Sequence, residues 1–284
     1  MNTGIVKRNY INVVNLHITD CCNFNCKHCF VKKEGKQLSL DESKKCVDKI
    51  AEFFEKTQTK EARINIAGGE PLLYPNLKEL VDHIYSKHIF VSIITNGVLI
   101  TKDLLNKFHD KKTNKSKIDM IGISIDGLTK QQNTEIGRYS GTTIPDENYY
   151  IQKCKIIKNA GIKLKINICV GKYNVNTDFS NLLNETKPDR LKFLKMSIQD
   201  MNKESKSQEI TDAEFDTFCS KYKKYGSINE NSDDISNSYL IIDSKGCVST
   251  ENGHTSNLNL LQSSLDTILK NFNLDYKTFH KRYK

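Results

Sequence analysis

Three cysteines, Cys22, Cys26 and Cys29, stand four and three residues apart in one short segment. They follow an apolar, strand-like run that includes Val13, Val14, Leu16 and Ile18. A loop of this length can wrap its thiolates around a single [4Fe–4S] cube, whose irons normally take four protein thiolates. Three ligands leave one iron open, and an open metal position is where chemistry can occur. Zinc is the competing reading. A zinc site, however, usually pairs one Cys-x2-Cys with a second or with a His pair, and no such partner follows downstream. The spacing favours the cluster over zinc, and zinc over chance.

Other residues suited to ligand binding follow strand-like runs. Arg63-Ile64-Asn65-Ile66 leads into Ala67-Gly68-Gly69-Glu70-Pro71, and Val91-Ser92-Ile93-Ile94 into Thr95-Asn96-Gly97. Met120-Ile121-Gly122-Ile123 ends at Ser124 and Asp126. Gly68 and Gly69 carry no side chain to keep a ligand from the backbone. Glu70 can accept hydrogen bonds from an ammonium, and Asn96 and Ser124 can bond a ribose or carboxylate. Between these runs lie helical patterns, one behind the capping box Ser39–Glu42 with Cys46, Ile50, Phe53 and Phe54 on a common face. Further helices are expected over residues 77–84, 102–109 and 150–159, and further strands over 164–170 and 191–198. Strand and helix alternate about six times, the pattern of a parallel α/β sheet. In a parallel barrel the active site lies at the C-terminal ends of the strands, and all these residues fall there.

The second half carries a different load. Lys165 and Asn167 have one parity, as do Arg190 and Lys192, so each pair points the same way. Arg63 has like parity on its own strand. A cation facing a barrel interior is costly unless an anion compensates it, so these side chains can form a polyphosphate pocket. From parity alone, a placement against helices or solvent is an equal alternative. The tail reads as a linker from residue 200, a second capping box at Thr211–Glu214, a mobile loop over 227–238, a strand over 238–243 and two short closing helices. His17 reads as barrel-lining, His28 as packed on the loop or facing solvent, Cys21 as a bystander, and Cys154 and Cys169 as core.

The 284 residues suit one large domain, with enough apolar residues (37%) for a core. The net charge of +9 fits nucleic acid, an anionic membrane or a phosphorylated small molecule as partner, or simply a lysine-rich surface. Of the nine cysteines three have a metal-ligand spacing while Cys46, Cys154, Cys169, Cys219 and Cys247 lie scattered, which is no secreted disulfide framework and points to a reducing cytosol. No apolar run approaches a membrane span, and the first ten residues have no signal-peptide core.

Asn15-Leu16-His17-Ile18-Thr19, the run Cys22-Asn23-Phe24-Asn25-Cys26-Lys27-His28-Cys29-Phe30, and Ile66-Ala67-Gly68-Gly69-Glu70-Pro71 are similar to the viperin family of radical S-adenosylmethionine (SAM) enzymes. So are Ile136-Gly137-Arg138, Leu164-Lys165-Ile166-Asn167, Arg190-Leu191-Lys192-Phe193 and Ser238-Tyr239-Leu240-Ile241. The resemblance runs from about residue 12 to the tail. It implies a partial (β/α)6 TIM-type barrel over residues 11–199, preceded by a lead (1–10) and closed by an extension (200–284). It implies a [4Fe–4S] cluster held by Cys22, Cys26 and Cys29, and SAM held by Gly68, Gly69, Glu70, Asn96, Ser124 and Arg138. Arg63, Lys165, Asn167, Arg190 and Lys192 would hold a nucleoside triphosphate, and Tyr239 would give a proton at the ribose. The activity implied is conversion of the nucleotide, CTP first with UTP or GTP as alternatives, to its 3′-deoxy-3′,4′-didehydro analogue, an antiviral chain terminator.

Within this resemblance the chain lacks the animal enzyme's membrane-binding helix and its aromatic C-terminal tail. Ala67 replaces a hydroxyl, and Glu251-Asn252-Gly253-His254 replaces a basic stretch. The expectation is a cytoplasmic, monomeric enzyme that binds neither membrane nor nucleic acid and is reduced by a flavodoxin- or ferredoxin-type donor. The alternatives are a radical SAM enzyme acting on a peptide or a GTP-derived precursor, and a cluster-containing nucleotide-binding module.

Overall fold

The computed structural model describes residues 11–196, 203–235, 237–249 and 255–283. Its frame is a ten-stranded sheet. Six parallel strands form the centre: β1 (Val13–Thr19), β2 (Arg63–Gly68), β3 (Phe90–Thr95), β6 (Met120–Ser124), β7 (Lys163–Val170) and β8 (Arg190–Lys195). A two-strand hairpin, β4 (His109–Asp110) with β5 (Lys115–Ser116), stands apart from it. The connections are helical: α1 (Leu40–Lys56), α2 (Leu77–Ser86), α3 (Lys102–Asn106), α4 (Lys130–Glu135), α5 (Glu147–Asn159) and α6 (Ser180–Thr186).

The C-terminal part does more than lie over the barrel. β9 (Ile228–Glu230) adds in parallel to β8, and β10 (Ile241–Ile242) adds in parallel to β1 at the opposite edge. β11 (Cys247–Ser249) and β12 (Thr255–Asn259) continue that edge antiparallel. The sheet order runs from β12 to β9 without closing on itself, as a partial barrel requires. The segment read as a mobile loop therefore holds strand β9 and the short helix α8 (Ser232–Ile235). Its polar composition hid a strand that is set by pairing with β8. The strand expected over 238–243 shrinks to Ile241–Ile242, and residues 197 and 198 of the expected sixth strand lie outside the described residues. α7 (Asp212–Ser220), α9 (Leu265–Asn271) and α10 (Tyr276–Arg282) complete the chain.

Parity along the strands sorts the side chains. Leu16 and Ile18, Ile64 and Ile66, Leu164, Ile166 and Ile168, and Leu191 and Phe193 are buried in the main apolar core with α1, α2, α5 and α6. The alternate positions, largely polar, line a cavity of about 340 Å³. The capping boxes set α1 and α7 as expected, whereas the helix expected over 102–109 ends at Asn106 and His109 opens β4. At α1 the Ser39 hydroxyl accepts from the Glu42 amide (3.2 Å) while the Glu42 carboxylate accepts from the Ser39 amide (2.8 Å). Thr211 and Glu214 do the same at α7.

Candidate active site

Cys22, Cys26 and Cys29 line the cavity from the loop after β1. Two backbone bonds tie this loop to the turn after α4: Asn25 N–H donates to Gly137 O and Lys27 N–H to Ile136 O, each 3.0 Å. The fit demands glycine. Gly137 has φ +74°, and a Cβ there would lie 2.1 Å from the Asn25 carbonyl oxygen. All three thiols are free, and burial pushes the Cys26 thiol up to about 12. Such a thiol ionises when a metal centre supplies positive charge. Among the described residues no three His, Cys, Asp or Glu side chains gather tightly enough for a single metal ion. A cubane, by contrast, takes each thiolate at a separate iron corner.

Arg138 follows Gly137 into the site. Its guanidinium pairs with Asp126 (2.7 Å), donates to Ser124 O (2.6 Å) and reaches the Cys26 sulfur (3.6 Å). Burial works to raise the Asp126 pKa, but Arg138, with His28 and the Cys169 amide, holds it below the ordinary carboxylate value. His28 bonds Asp126 at 3.2 Å and stacks on Tyr173. It is thus packed on the loop and not turned to solvent. The buried Asn167 Oδ1 has no hydrogen-bond partner among the described residues, and Asn167 lines the cavity. An unpaired buried acceptor at a ligand site is what a polar cofactor or substrate would satisfy.

On the second rim segment the glycines serve the chain itself. A Cβ on Gly68 would meet Thr19 O at 2.2 Å, and one on Gly69 would meet Cys21 O at 2.1 Å. Both line the cavity as well. Cys21 therefore has a structural part, since its carbonyl also accepts from the Glu70 amide (2.8 Å). Glu70 departs from expectation. Its carboxylate is fully buried, accepts from Thr95 Oγ1 (2.7 Å) and from the amides of Leu72 (3.0 Å) and Asn96 (2.8 Å), and is not among the cavity-lining residues. It fixes the Thr95–Asn96 turn from behind, leaving Asn96 to line the cavity and bond Asn23 (2.7 Å). Ser124 also lines it.

The cations expected from parity do face inward. Arg63, Lys165, Asn167, Arg190 and Lys192 all line the same cavity as the three cysteines. Lys165 pairs in register with Arg190, and Asn167 with Lys192. Burial, reinforced by the charges of Lys192 and Arg190, holds the Lys165 ammonium well below its ordinary value. Among the described residues Lys165 and Arg63 have no ion-pair or hydrogen-bond partner for their charged groups, whereas Arg190 donates to Arg282 O (2.6 Å). Such a cluster is costly without an anion.

Lys192 is different. Its ammonium contacts the Glu230 carboxylate and donates to the Tyr239 hydroxyl (2.6 Å), which in turn donates to Glu230 (2.7 Å). Arg282 donates to Glu230 (2.7 Å) and stacks over the Tyr239 ring at 3.7 Å.

His17 lines the cavity, and burial lowers its pKa to about 4, so it is neutral at pH 7. Cys169 also lines the cavity and is not a core residue, because it shares the parity of Lys165 and Asn167. Sequence reading missed the amides of Asn15 and Asn65, joined at 2.9 Å on the cavity wall, though their parity with His17 and Arg63 was a usable signal. Glu230 and Arg282 gave none. Residues 251–254, expected near the substrate, lie outside the described residues.

The model of the radical SAM superfamily matches residues 16–185. A curated relative from Flammeovirga pacifica, named S-adenosylmethionine-dependent nucleotide dehydratase, is 31% identical over 87% of this chain and 84% of its own length. One of the same name from a Thermoplasmatales archaeon is 30% identical over 89% of this chain and 88% of its own length. Among solved structures, Streptococcus suis SuiB bound to S-adenosylmethionine superposes with a TM-score of 0.71 at 17% identity, covering 95% of this chain and 68% of that one, and shares the fold.

Proposed function

The chain belongs to the radical SAM superfamily and, within it, to the S-adenosylmethionine-dependent nucleotide dehydratases, and from that premise we propose that it dehydrates a nucleoside triphosphate at the ribose. The observation that carries this reading to the site is the shared cavity: the cysteine loop forms one part of the wall, and Arg63 and Lys165, which make no ion pair or hydrogen bond through their charged groups among the described residues, form another. Cys22, Cys26 and Cys29 would hold a [4Fe–4S] cluster. Asn96, Ser124 and Arg138 would hold SAM, with Gly68, Gly69 and Glu70 shaping its seat. When bound, this pair supplies an adenosyl radical able to remove a hydrogen atom from the ribose.

The protein's own work is then positional. Arg63, Lys165 and Arg190 grip the triphosphate, so the ribose is fixed toward the cysteine loop. Asn167, with its free carbonyl oxygen, bonds a hydroxyl. Tyr239 faces the ribose and gives the proton that the departing 3′-hydroxyl needs, making the product a 3′-deoxy-3′,4′-didehydro nucleotide.

This reading divides the chain into a lead (1–10), a core (11–199) carrying the cofactor residues, and an extension (200–284) completing the nucleotide floor. CTP is the first candidate, then UTP or GTP. An iron–sulfur or flavin protein would supply electrons, and the enzyme would act as a cytoplasmic monomer. Among the described residues no helix is long and apolar enough to cross a membrane.

The test is to incubate anaerobically reconstituted protein with SAM, dithionite and each nucleotide separately, and to identify products by mass. The expected product is lighter than its nucleotide by one water and appears together with 5′-deoxyadenosine. Formation of 5′-deoxyadenosine without any dehydrated nucleotide would point instead to another substrate class, such as a peptide.

A further inference from the structure

A buried ion pair lies beside the cysteine loop. Asp126, two residues past β6, is 2% exposed, and Arg138 is 4% exposed. The Arg138 guanidinium stands 2.7 Å from the Asp126 carboxylate on one side and 3.6 Å from the Cys26 sulfur on the other. The same carboxylate accepts from His28 Nε2 (3.2 Å), within the loop between Cys26 and Cys29, and from the Cys169 amide on β7 (2.8 Å). Asn174 Nδ2 donates to the Asp126 carbonyl (2.8 Å), so the backbone is tied as well as the side chain. Asp126 thus joins the end of β6, β7, the turn after α4 and the cysteine loop. The SAM and nucleotide contacts proposed above leave it without a part, yet burying a carboxylate is costly.

We propose that Asp126 is a positioning residue for the cluster chemistry: it clamps Arg138 and His28 against the cysteine loop and cancels the guanidinium charge beside Cys26, so that a cluster bound there stays strongly reducing. The inference rests on the iron–sulfur part of the function proposed above and goes beyond it to the driving force behind the electron.

Splitting SAM takes one electron, which passes from the reduced cluster to the sulfonium as the S–C5′ bond breaks to methionine and an adenosyl radical. A positive charge near a cluster favours its reduced, more negative form and so raises its potential. In a buried site little water screens that charge. An uncompensated guanidinium 3.6 Å from a ligand sulfur would therefore weaken the cluster as a donor. Asp126 lets the guanidinium keep its hydrogen bonds to the site without that effect. The lysines of the loop, Lys27, Lys32 and Lys33, are exposed, so solvent and salt screen them.

The test reconstitutes the full chain anaerobically with iron and sulfide and measures iron per chain. The midpoint potential of the bound cluster is then followed by electron paramagnetic resonance without SAM or nucleotide. Asp126→Asn keeps the shape and removes the charge. Its potential should rise, and dithionite-driven formation of 5′-deoxyadenosine should fall about 10- to 100-fold. Combining Asp126→Asn with Arg138→Gln removes both charges. The potential should then return toward the unaltered value, a recovery that a merely structural role would not produce.

If the Asp126→Asn cluster forms with an unmoved or lowered potential, or the double replacement shifts it as far as the single one, Asp126 only supports the loop and the inference fails. Should Asp126→Asn take up no iron, assembly decides. Iron uptake restored in the double replacement upholds charge compensation, and continued loss overturns it. A chain whose cluster follows these shifts yet dehydrates no nucleotide overturns the proposed function and leaves this inference standing. An unaltered chain that takes up no iron overturns both.

Discussion

At the scale of single residues, the site is a contrast between cations that have partners and cations that lack them. Lys165 is the clearest of the second kind, a buried ammonium beside Arg190 and Lys192. Replacing it with Met keeps the bulk and removes the charge. The nucleotide KM should rise about tenfold or more, since a charge-assisted contact is worth ~1.5–3 kcal/mol. Iron content and SAM affinity should not change, so steady-state kinetics beside an iron assay separate a substrate defect from a cofactor defect. Much of this was legible in the sequence. The period of two placed Arg63, Lys165, Asn167, Arg190 and Lys192 on one face of their strands, and the cavity confirms that this face is inward. Parity could not say which of them had partners, because Glu230 and Arg282 come from elements far along the chain.

At the scale of elements, the cysteine loop is held less by its own sequence than by the turn it leans on. Gly137 sits at φ +74° with the Asn25 carbonyl where a Cβ would have to go. Gly137→Ala should displace the Asn25–Lys27 backbone and lower the iron bound per chain after reconstitution, with SAM binding falling in parallel. Ser39→Ala is the control. It removes the α1 cap, which contributes about 1 kcal/mol, and should shift the denaturation midpoint while leaving iron content intact. The α1 and α7 capping boxes were readable because four residues determine each one. β9 was not readable. Ile228–Glu230 is a strand only because β8 offers an unpaired edge, and a run rich in Asn, Ser and Asp carries no trace of that.

At the scale of the whole molecule, a cavity with more cations than carboxylates on its wall links stability to anions and to pH. Lys165 and Lys192 have folded-state pKa values below that of an ordinary lysine, Lys192 near 7. Above the folded value and below the unfolded one, the unfolded chain binds more protons, so stability rises with pH across that window. Below it both lysines are charged in the folded state, and the cost is fully present. A triphosphate offsets that cost most where the lysines are protonated. The rise in melting temperature on adding nucleotide should therefore be larger near pH 6 than near pH 9, as differential scanning fluorimetry would show; an equal rise at both pH values would remove the cations from the binding site. The alternation of strand and helix disclosed the barrel core from the sequence, but not that the extension supplies strands to both of its edges. That placement bears on biosynthesis. The cysteine loop leaves the ribosome early, while Glu230, Tyr239, Arg282 and Tyr283 emerge only after the core has been made. A prematurely ended polypeptide would thus keep the cysteine loop and lose the residues that line the other end of the cavity.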